Sequence, residues 1–559
     1  MPCLSKKRRP SKTGADRTER RIFRVIPIAS RASLPGHIIG RTLCAALVLC
    51  APVPVGAETL ADAVAAAYDR DPQLVQQRYL QKARDEQYVQ ARGQYGPTVT
   101  ATTSGGYSYS KQSPLIAGNG GTSQTTSVTI SQPLYTSGRL RGQLAAAKAS
   151  VMGGREELRQ VEQQIVQDVI QVYAGVLRDE ARLEIGRENV AVLRGQLRQN
   201  SKRQQVGDVT LTDVSQSDSR LAAAEIQLAS LEAQLAVSRG QFLEIVGHNP
   251  GVLEPLPRLG ALPPTIDTAF DLADQNNPSL HIAQYAEAQS SANAAAVRGE
   301  GGPSVSWNAQ ARYSNDLFTV GGLLEQKQAI AGFTVTQPIF SGGLIRSRVR
   351  QADSQNRADQ AGIDMARRTA LQAVTNAWVQ LSSSRIAVTT GQRQVESAQQ
   401  AFAGMSCEEL NGLRSTIETL NAEEELQAAQ LQLLQSRYNV YVAHAALLAA
   451  VGELSADRIA QGITVYDPEA NFQRVRYSGF TPLDLIAQGL DRIGSASPRG
   501  YLSYDLSGMN VPQPENVGPL SPAPARDLMN RKVTPIRESQ LKLPNGDTGR
   551  CPLNDTRPR

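Results

Sequence analysis

Residues 128–138 read VTISQPLYTSG and residues 333–343 read FTVTQPIFSGG. The same displacement of 205 positions carries Gln132-Pro133 to Gln337-Pro338, Gly207 to Gly412 and Val246-Gly247 to Val451-Gly452. A displacement of 206 carries Asp71-Pro72 to Asn277-Pro278 and Gly96-Pro97 to Gly302-Pro303. Landmarks held in register over this length mark an internal duplication. We read a first copy over residues 58–247 and a second over 265–454, joined by a linker at 248–264. Whatever one copy forms, the other must form as well.

Each copy changes its hydrophobic period twice. Residues 59–93 and 265–299 are Ala-rich and expected to be helical, each ended by a Gly-Pro pair that cannot continue a helix. The period then falls to two. Val305, Trp307, Ala309, Ala311 and Tyr313 alternate with polar residues, and Ala331, Phe333 and Val335 mark a partner strand. The first copy carries Val99, Ala101, Tyr107 and Tyr109, then Val128, Ile130 and Leu134. One hairpin per copy follows, at 97–137 and 303–342, with polar, Gly-containing loops expected at 110–124 and 314–326. The GNGGT of residues 118–122 lacks the lysine of a phosphate loop and is assigned to the first of these loops.

The helical hairpins expected at 138–247 and 343–454 repeat every seven residues. Val169, Val176, Leu183, Val190 and Leu197 form one seam, and Leu221, Leu228, Leu235 and Phe242 the next. In the second copy Leu426, Leu433, Val440 and Leu447 have the small companions Ala422, Ala429, Ser436 and Ala443. Such a repeat indicates supercoiled helices, and small seam residues let backbones approach closely. From Gly138 to Val206 there are 69 residues, roughly 100 Å of helix at 1.5 Å per residue. No single compact domain needs a helix that long.

The formal net charge of the 559 residues is +6, but residues 1–57 hold 11 Lys and Arg against two acids, and the remainder carries 47 basic and 50 acidic groups. A phosphate-neutralising nucleic-acid binder is therefore disfavoured. Basic residues up to Arg41, an apolar run at 43–55 and Val55-Gly56-Ala57 describe a secretory signal peptide with cleavage expected after Ala57. Nothing after residue 60 approaches 18 consecutive apolar residues, so helical membrane spans are not expected. Cys407 and Cys551 alone remain beyond the signal peptide, too few for a disulfide scaffold, and Cys407 reads as an incidental small apolar residue. His248, His281 and His444 lack the spacing of a zinc site, and no Ser/His/Asp or paired-carboxylate constellation suggests an enzyme. No cofactor or metal is expected.

A secreted chain with apolar-striped strands and interface aromatics points to the outer membrane, where Tyr107, Tyr109, Tyr135, Trp307, Tyr313, Phe333 and Phe340 are the candidate girdle residues. Only helices and closed barrels span lipid. Four strands cannot close, so several chains must share a barrel, and three would supply twelve strands. The competing reading is a structural or adhesive envelope coiled coil, which has no need of amphipathic hairpins.

The duplicated SQPLYTSG and TQPIFSGG, with LNAEEEL, LLAAVGEL and VYDPEANF further on, resemble the TolC family of outer-membrane efflux and secretion channels over about residues 58–475, in the style of alphaproteobacterial type I secretion components. The resemblance implies an internally duplicated α+β membrane protein. Its homotrimer would form a twelve-stranded barrel continuous with a periplasmic coiled-coil barrel of helices. It also implies a periplasmic adaptor, an inner-membrane ABC or proton-driven transporter as partners, and an entrance that opens when helices untwist. Carried over by position, Gly207 and Gly412 are the entrance-turn glycines, Asp213 and Arg414 an ion-pairing couple, and Glu418 an acid one turn further. Glu409 stands where some members have tyrosine, and Asn421 where they have aspartate. The acids at 423–425 read as a solvated helix face, 455–475 as an equatorial segment, and 476–559 as a Pro-rich disordered tail with a short helix at 483–493.

Overall fold

The computed structural model describes residues 57–110, 119–318, 322–460 and 462–493. The expected signal peptide, apart from Ala57, therefore lies outside the described residues. Each copy contains the same six elements. The first is α1 (Leu60–Arg70), α2 (Pro72–Gly93), β1 (Thr98–Ser110), β2 (Asn119–Tyr135), α3 (Arg139–Gln205) and α4 (Leu211–Val246). The second is α5 (Ile266–Asn276), α6 (Pro278–Gly299), β3 (Ser304–Phe318), β4 (Gly322–Thr336), α7 (Leu344–Leu410) and α8 (Thr416–Ala450). Both α3 and α7 have 67 residues, so the duplication is preserved at full helix length.

The leading helix of each copy is split in two, where the sequence pattern suggested one. Asp71 adopts an extended conformation and accepts hydrogen bonds from the N–H groups of Gln73 and Leu74, capping α2. Pro72 opens that helix, at a position where its missing N–H costs nothing. Asn277 and Pro278 repeat the device in the second copy. The landmark pairs Asp-Pro and Asn-Pro are thus helix starts.

The four strands form one antiparallel sheet in the order β1-β2-β3-β4, with β2 joined to β3 across the duplication. Ala101 lies opposite Val128, Val128 opposite Ala311, and Ala311 opposite Ala329. One level lower, Val99, Ile130, Ala309 and Ala331 align in the same way. Because directly paired residues share a face, the apolar stripes of all four strands merge into one apolar surface. Trp307 and Phe333 are paired at the end nearest the helices, level with Gln132, and Tyr107 lies level with Thr122 towards the far end. The ten residue steps from Thr122 to Gln132 on β2 rise roughly 33 Å along the strand, about 23 Å across a membrane at the usual tilt. That matches the apolar band of an outer-membrane barrel.

The strands run further than the composition suggested. Residues 119–124, 314–318 and 322–326, assigned to loops on their polar and Gly-rich character, are paired strand, including Asn119–Thr122 of GNGGT. Ladder pairing is made by the backbone and tolerates polar side chains, which is why composition misplaced the boundary. Within the described residues, β1 and β4 each have one edge without a partner strand.

The seven-residue seams form the cores. Val169, Val176 and Leu183 of α3 pack with Leu235 and Phe242 of α4 and with Leu60, Ala63 and Ala67 of α1. Val374, Leu381 and Val388 of α7 pack with Leu426, Leu433, Val440 and Leu447 of α8 and with Ile266 and Ala269 of α5. Tyr441, Ala445 and Leu448 of α8 join the first core, so α8 belongs to both copies. Close approach is enforced where α3 crosses α6: a Cβ on Gly142 would lie 2.6 Å from the backbone N of Ala296. The linker is pinned by Tyr173, whose hydroxyl donates to the carbonyls of Glu58 and Glu254, both at 2.8 Å.

Beyond α8 come α9 (Ala456–Ile459), α10 (Pro468–Val475) and α11 (Pro482–Leu490). The short helix expected at 483–493 is α11, preceded by turns at 476–479 in the stretch otherwise assigned to the tail, and residues after 493 lie outside the described part. The decisive contact of this segment is Asp491, buried at the start of α3. One carboxylate oxygen accepts from the Thr136 N–H (2.7 Å), the Thr136 hydroxyl (2.9 Å) and the Gly138 N–H (3.0 Å); the other faces the Arg141 N–H and the Tyr95 hydroxyl. Gly138 offers no side-chain cap of its own. A carboxylate from distant sequence thus serves the orphan donors and positive end of α3. Asp491→Ala is expected to cost about 1–3 kcal/mol by leaving buried donors unserved, read as a lower heat-dissociation temperature of the assembled protein, with Asp491→Asn intermediate.

Candidate functional site

The far ends of the helical hairpins hold the sequence-predicted charges. Both connections are five residues long, 206–210 and 411–415. Gly207 has φ +86° and Gly412 φ +73°, left-handed values that glycine adopts without strain. Asp208 N–H donates to the Arg203 carbonyl and Leu413 N–H to the Glu408 carbonyl, each at 2.9 Å, closing the preceding helix in the manner of a Schellman turn.

Asp213 and Glu418 turn out to be equivalent positions 205 apart, and both serve as the third residue of a capping box. Thr210 N–H and hydroxyl donate to Asp213 at 2.9 and 2.7 Å, while Asp213 N–H donates back to the Thr210 hydroxyl at 3.2 Å. Ser415 makes the same arrangement with Glu418. The Ser415 N–H and hydroxyl, then the Arg414 guanidinium, hold the Glu418 carboxyl below the usual carboxylate range. The pattern Thr-x-x-Asp and Ser-x-x-Glu before an apolar run was visible in the sequence as a helix-start signature.

The expected couple Asp213–Arg414 is not formed within the chain. Arg414 instead pairs with Glu408 (Nε–Oε2 2.9 Å) and Glu418 (Nη1–Oε1 3.4 Å) beside its own turn. Glu409 accepts from the Thr416 hydroxyl at 3.1 Å and lies 3.7 Å from Arg203 at the end of α3. A second contact between the hairpins was missed by sequence reasoning. Arg220 of α4 reaches Glu424 (2.6 Å) and Asn421 (2.8 Å) of α8. Arg203–Glu409 and Arg220–Glu424 are therefore two clasps between the first and second helical hairpins. Cys407 lies one turn before Asn411, whose side-chain amide donates to the Cys407 carbonyl at 2.8 Å.

The three acids at 423–425 do not share one solvated face. Glu424 is in the clasp and Glu425 is exposed, but Glu423 points inward and is buried beside Ile185, Val192, Phe402 and Leu426. Burial pushes its carboxyl up to about 8, only partly offset by the Gln196 side chain, and one of its oxygens has no hydrogen-bond partner. A carboxyl ionised there would lose hydration without gaining a cation.

At the other end of the molecule the aromatic candidates fall into groups. Tyr107 and Tyr109 are exposed near the far end of β1, Tyr313 stands midway, and Trp307, Phe333 and Tyr135 lie near the helical end. Phe340 lies beyond β4, in the exposed segment leading to α7. The arrangement is an amphipathic sheet with aromatics towards both edges, joined to helices about 100 Å long.

Comparison with known proteins decides what this combination is. The family model for outer membrane efflux proteins matches residues 63–248 and 269–453, both copies of the duplication. The chain belongs to that family. Outer membrane efflux protein BepC from Brucella suis is 28% identical over 444 residues, covering 78% of this chain and 96% of its own. Alkaline protease secretion protein AprF from Pseudomonas aeruginosa is 25% identical, covering 59% of this chain and 70% of its own. The Campylobacter jejuni CmeC outer membrane channel has the same fold, with a TM-score of 0.64 at 15% identity over 74% of this chain and 88% of that one. The protein is thus an outer-membrane channel of the TolC type with a periplasmic helical portion, a transport protein and not an enzyme.

Glu423 gives the channel a defined pH response. In the unfolded chain its carboxyl ionises near 4.5; in the folded chain it stays protonated up to about 8. The folded state therefore binds the extra proton between these values, and stability falls as pH rises through that window. Glu423→Gln is expected to remove this component, so its heat-dissociation temperature should decline less than that of the unaltered channel between pH 5 and pH 8.

Proposed function

We propose that three copies of the chain share one twelve-stranded barrel in the outer membrane, and that their helices continue it as a tube across the periplasm. The observation that carries this reading is the four-stranded sheet with one apolar face and, among the described residues, two unpaired edges, joined by segments of three and seven residues to two 67-residue helices. An edge strand cannot be left open in lipid, and members of this family form trimers. The assembly is a passive exit duct for efflux or type I secretion, with energy supplied by an inner-membrane ABC or proton-driven transporter through a periplasmic adaptor. Relatives named for efflux and for alkaline protease secretion support both uses. Val206, Leu211 and Leu413, exposed at the helical tips, supply an apolar surface for the adaptor.

The entrance is held by exposed charge. Asp213, Glu409, Arg414 and Glu418 belong to it together with Arg203, Arg220 and Glu424, and opening separates one hairpin from the other. Purified protein reconstituted in a planar bilayer should give discrete, long-lived conductance steps. A structural coiled coil without channel activity gives none. Arg203→Glu and Arg220→Glu are each expected to raise single-channel conductance, because each replaces an attraction between the two hairpins with repulsion. Unchanged conductance in both variants removes these contacts from the gate.

A further inference from the structure

The segment that supplies Asp491 also presents an apolar surface that the channel fold does not use. Its position relative to the membrane follows from the strand register. Gln132 pairs with Trp307 and Tyr135 with Val305, so both lie on the apolar, lipid-directed face of the sheet at its helical end. Gln132 is buried there and donates to the Tyr95 carbonyl at 2.6 Å; the Tyr135 hydroxyl donates to the Ile493 carbonyl at 3.1 Å. Ala487 packs against Tyr95 and Leu140. The end of α11 therefore sits against the outer side of the barrel wall, at its periplasmic foot.

The helix is amphipathic with its charges turned inward. Asp484 and Asp491, seven residues apart and on one face with Ala487, are each 1% exposed. The other side carries Leu483, Leu485, Ile486 and Leu490, followed beyond the exposed Arg492 by Ile493; these five apolar residues have exposures from 39% to 67%. Just upstream, Tyr477 and Phe480 are exposed, and the Arg476 guanidinium lies 4.6 Å over the Tyr477 ring. Exposed aromatics with an adjacent cation suit the headgroup layer, and a short uncharged face suits the acyl boundary beneath it.

We propose that α11 lies in the plane of the inner leaflet of the outer membrane, with Leu483, Ile486 and Leu490 among phospholipid acyl chains at the foot of the barrel. The contact of Tyr135 with Ile493 sets the end of α11 beside β2, so hydrocarbon covering that face of the sheet would reach the helix. Burial of Asp491 at the start of α3 fixes the helix in place against that surface. Each chain thereby gains a second, monotopic contact with the bilayer.

The test is photo-crosslinking of the full-length assembled channel in bilayers of phosphatidylethanolamine and phosphatidylglycerol. Ile486 is replaced by benzoylphenylalanine, with Leu485 as a second site and the exposed Ile226 of α4, far along the helical hairpin, as control. Retention of the heat-resistant assembly shows that each variant is folded. The expected result is an adduct of one phospholipid mass at 486 or 485, at least about tenfold more abundant than at 226. A crosslink to a neighbouring chain, a crosslink to residues 494–559 of the same chain, or the absence of any lipid adduct in the folded assembly each overturns the proposal.

Discussion

The backbone groups along the free edges of β1 and β4 govern everything else. In water an unpaired edge can be hydrated, but in hydrocarbon each unsatisfied N–H or C=O costs several kcal/mol. A sheet of four strands with an apolar face is therefore an incomplete object, and its completion requires copies of itself. The internal pairing of β2 with β3 shows how completion works, because it already joins one copy of the duplication to the other by the ladder that a further chain would extend. In the proposed assembly the duplicated chain is a small version of the whole ring.

The helices inherit this geometry. Each hairpin of strands feeds a 67-residue helix through a glycine in the left-handed region, Gly138 in the first copy and Gly343 in the second. Neither glycine can cap its helix, and the two copies solve the problem differently. The first borrows Asp491 from the end of the described chain. Among the described residues the second has no comparable side-chain cap at the start of α7, and Ile339 and Phe340 beside it are 95% and 89% exposed in the single chain. Symmetry in sequence is thus broken in three dimensions at the junction of sheet and helices, where one copy carries the C-terminal segment and the other leaves an open surface.

What the sequence disclosed followed from periodicity. A seven-residue seam places Val169, Val176, Leu183 and Val190 in the core because the helix itself repeats, and all four are buried. Alternation in β3 likewise gave the face that the register unites. The misplaced strand ends were set by backbone pairing, which composition does not report. Long-range pairing was also illegible. Nothing local distinguishes Arg220 from its exposed neighbours until α8 brings Asn421 and Glu424 beside it. Glu423 looked like one of three equivalent acids, yet the helical rotation of a single residue separates a buried carboxyl from a solvated one. Asp491 lies in a short expected helix just ahead of a Pro-rich stretch, and only its target at the start of α3 reveals what it does.

The division of labour among the entrance acids explains how a gate can be both specific and easy to open. Asp213 and Glu418 are held by the hydroxyl and N–H groups of Thr210 and Ser415, contacts internal to a helix start that survive when hairpins move as units. The contacts that cross between hairpins are the partly exposed Arg203–Glu409 and Arg220–Glu424. Pairs of this kind are worth about 0–1 kcal/mol each. In the proposed three-chain assembly, two per chain sum to a few kcal/mol, within reach of the differential binding energy of the proposed adaptor. In the proposed gate, local caps keep the helix ends intact while weak clasps set the closed state, so opening consumes only the interactions that closure requires.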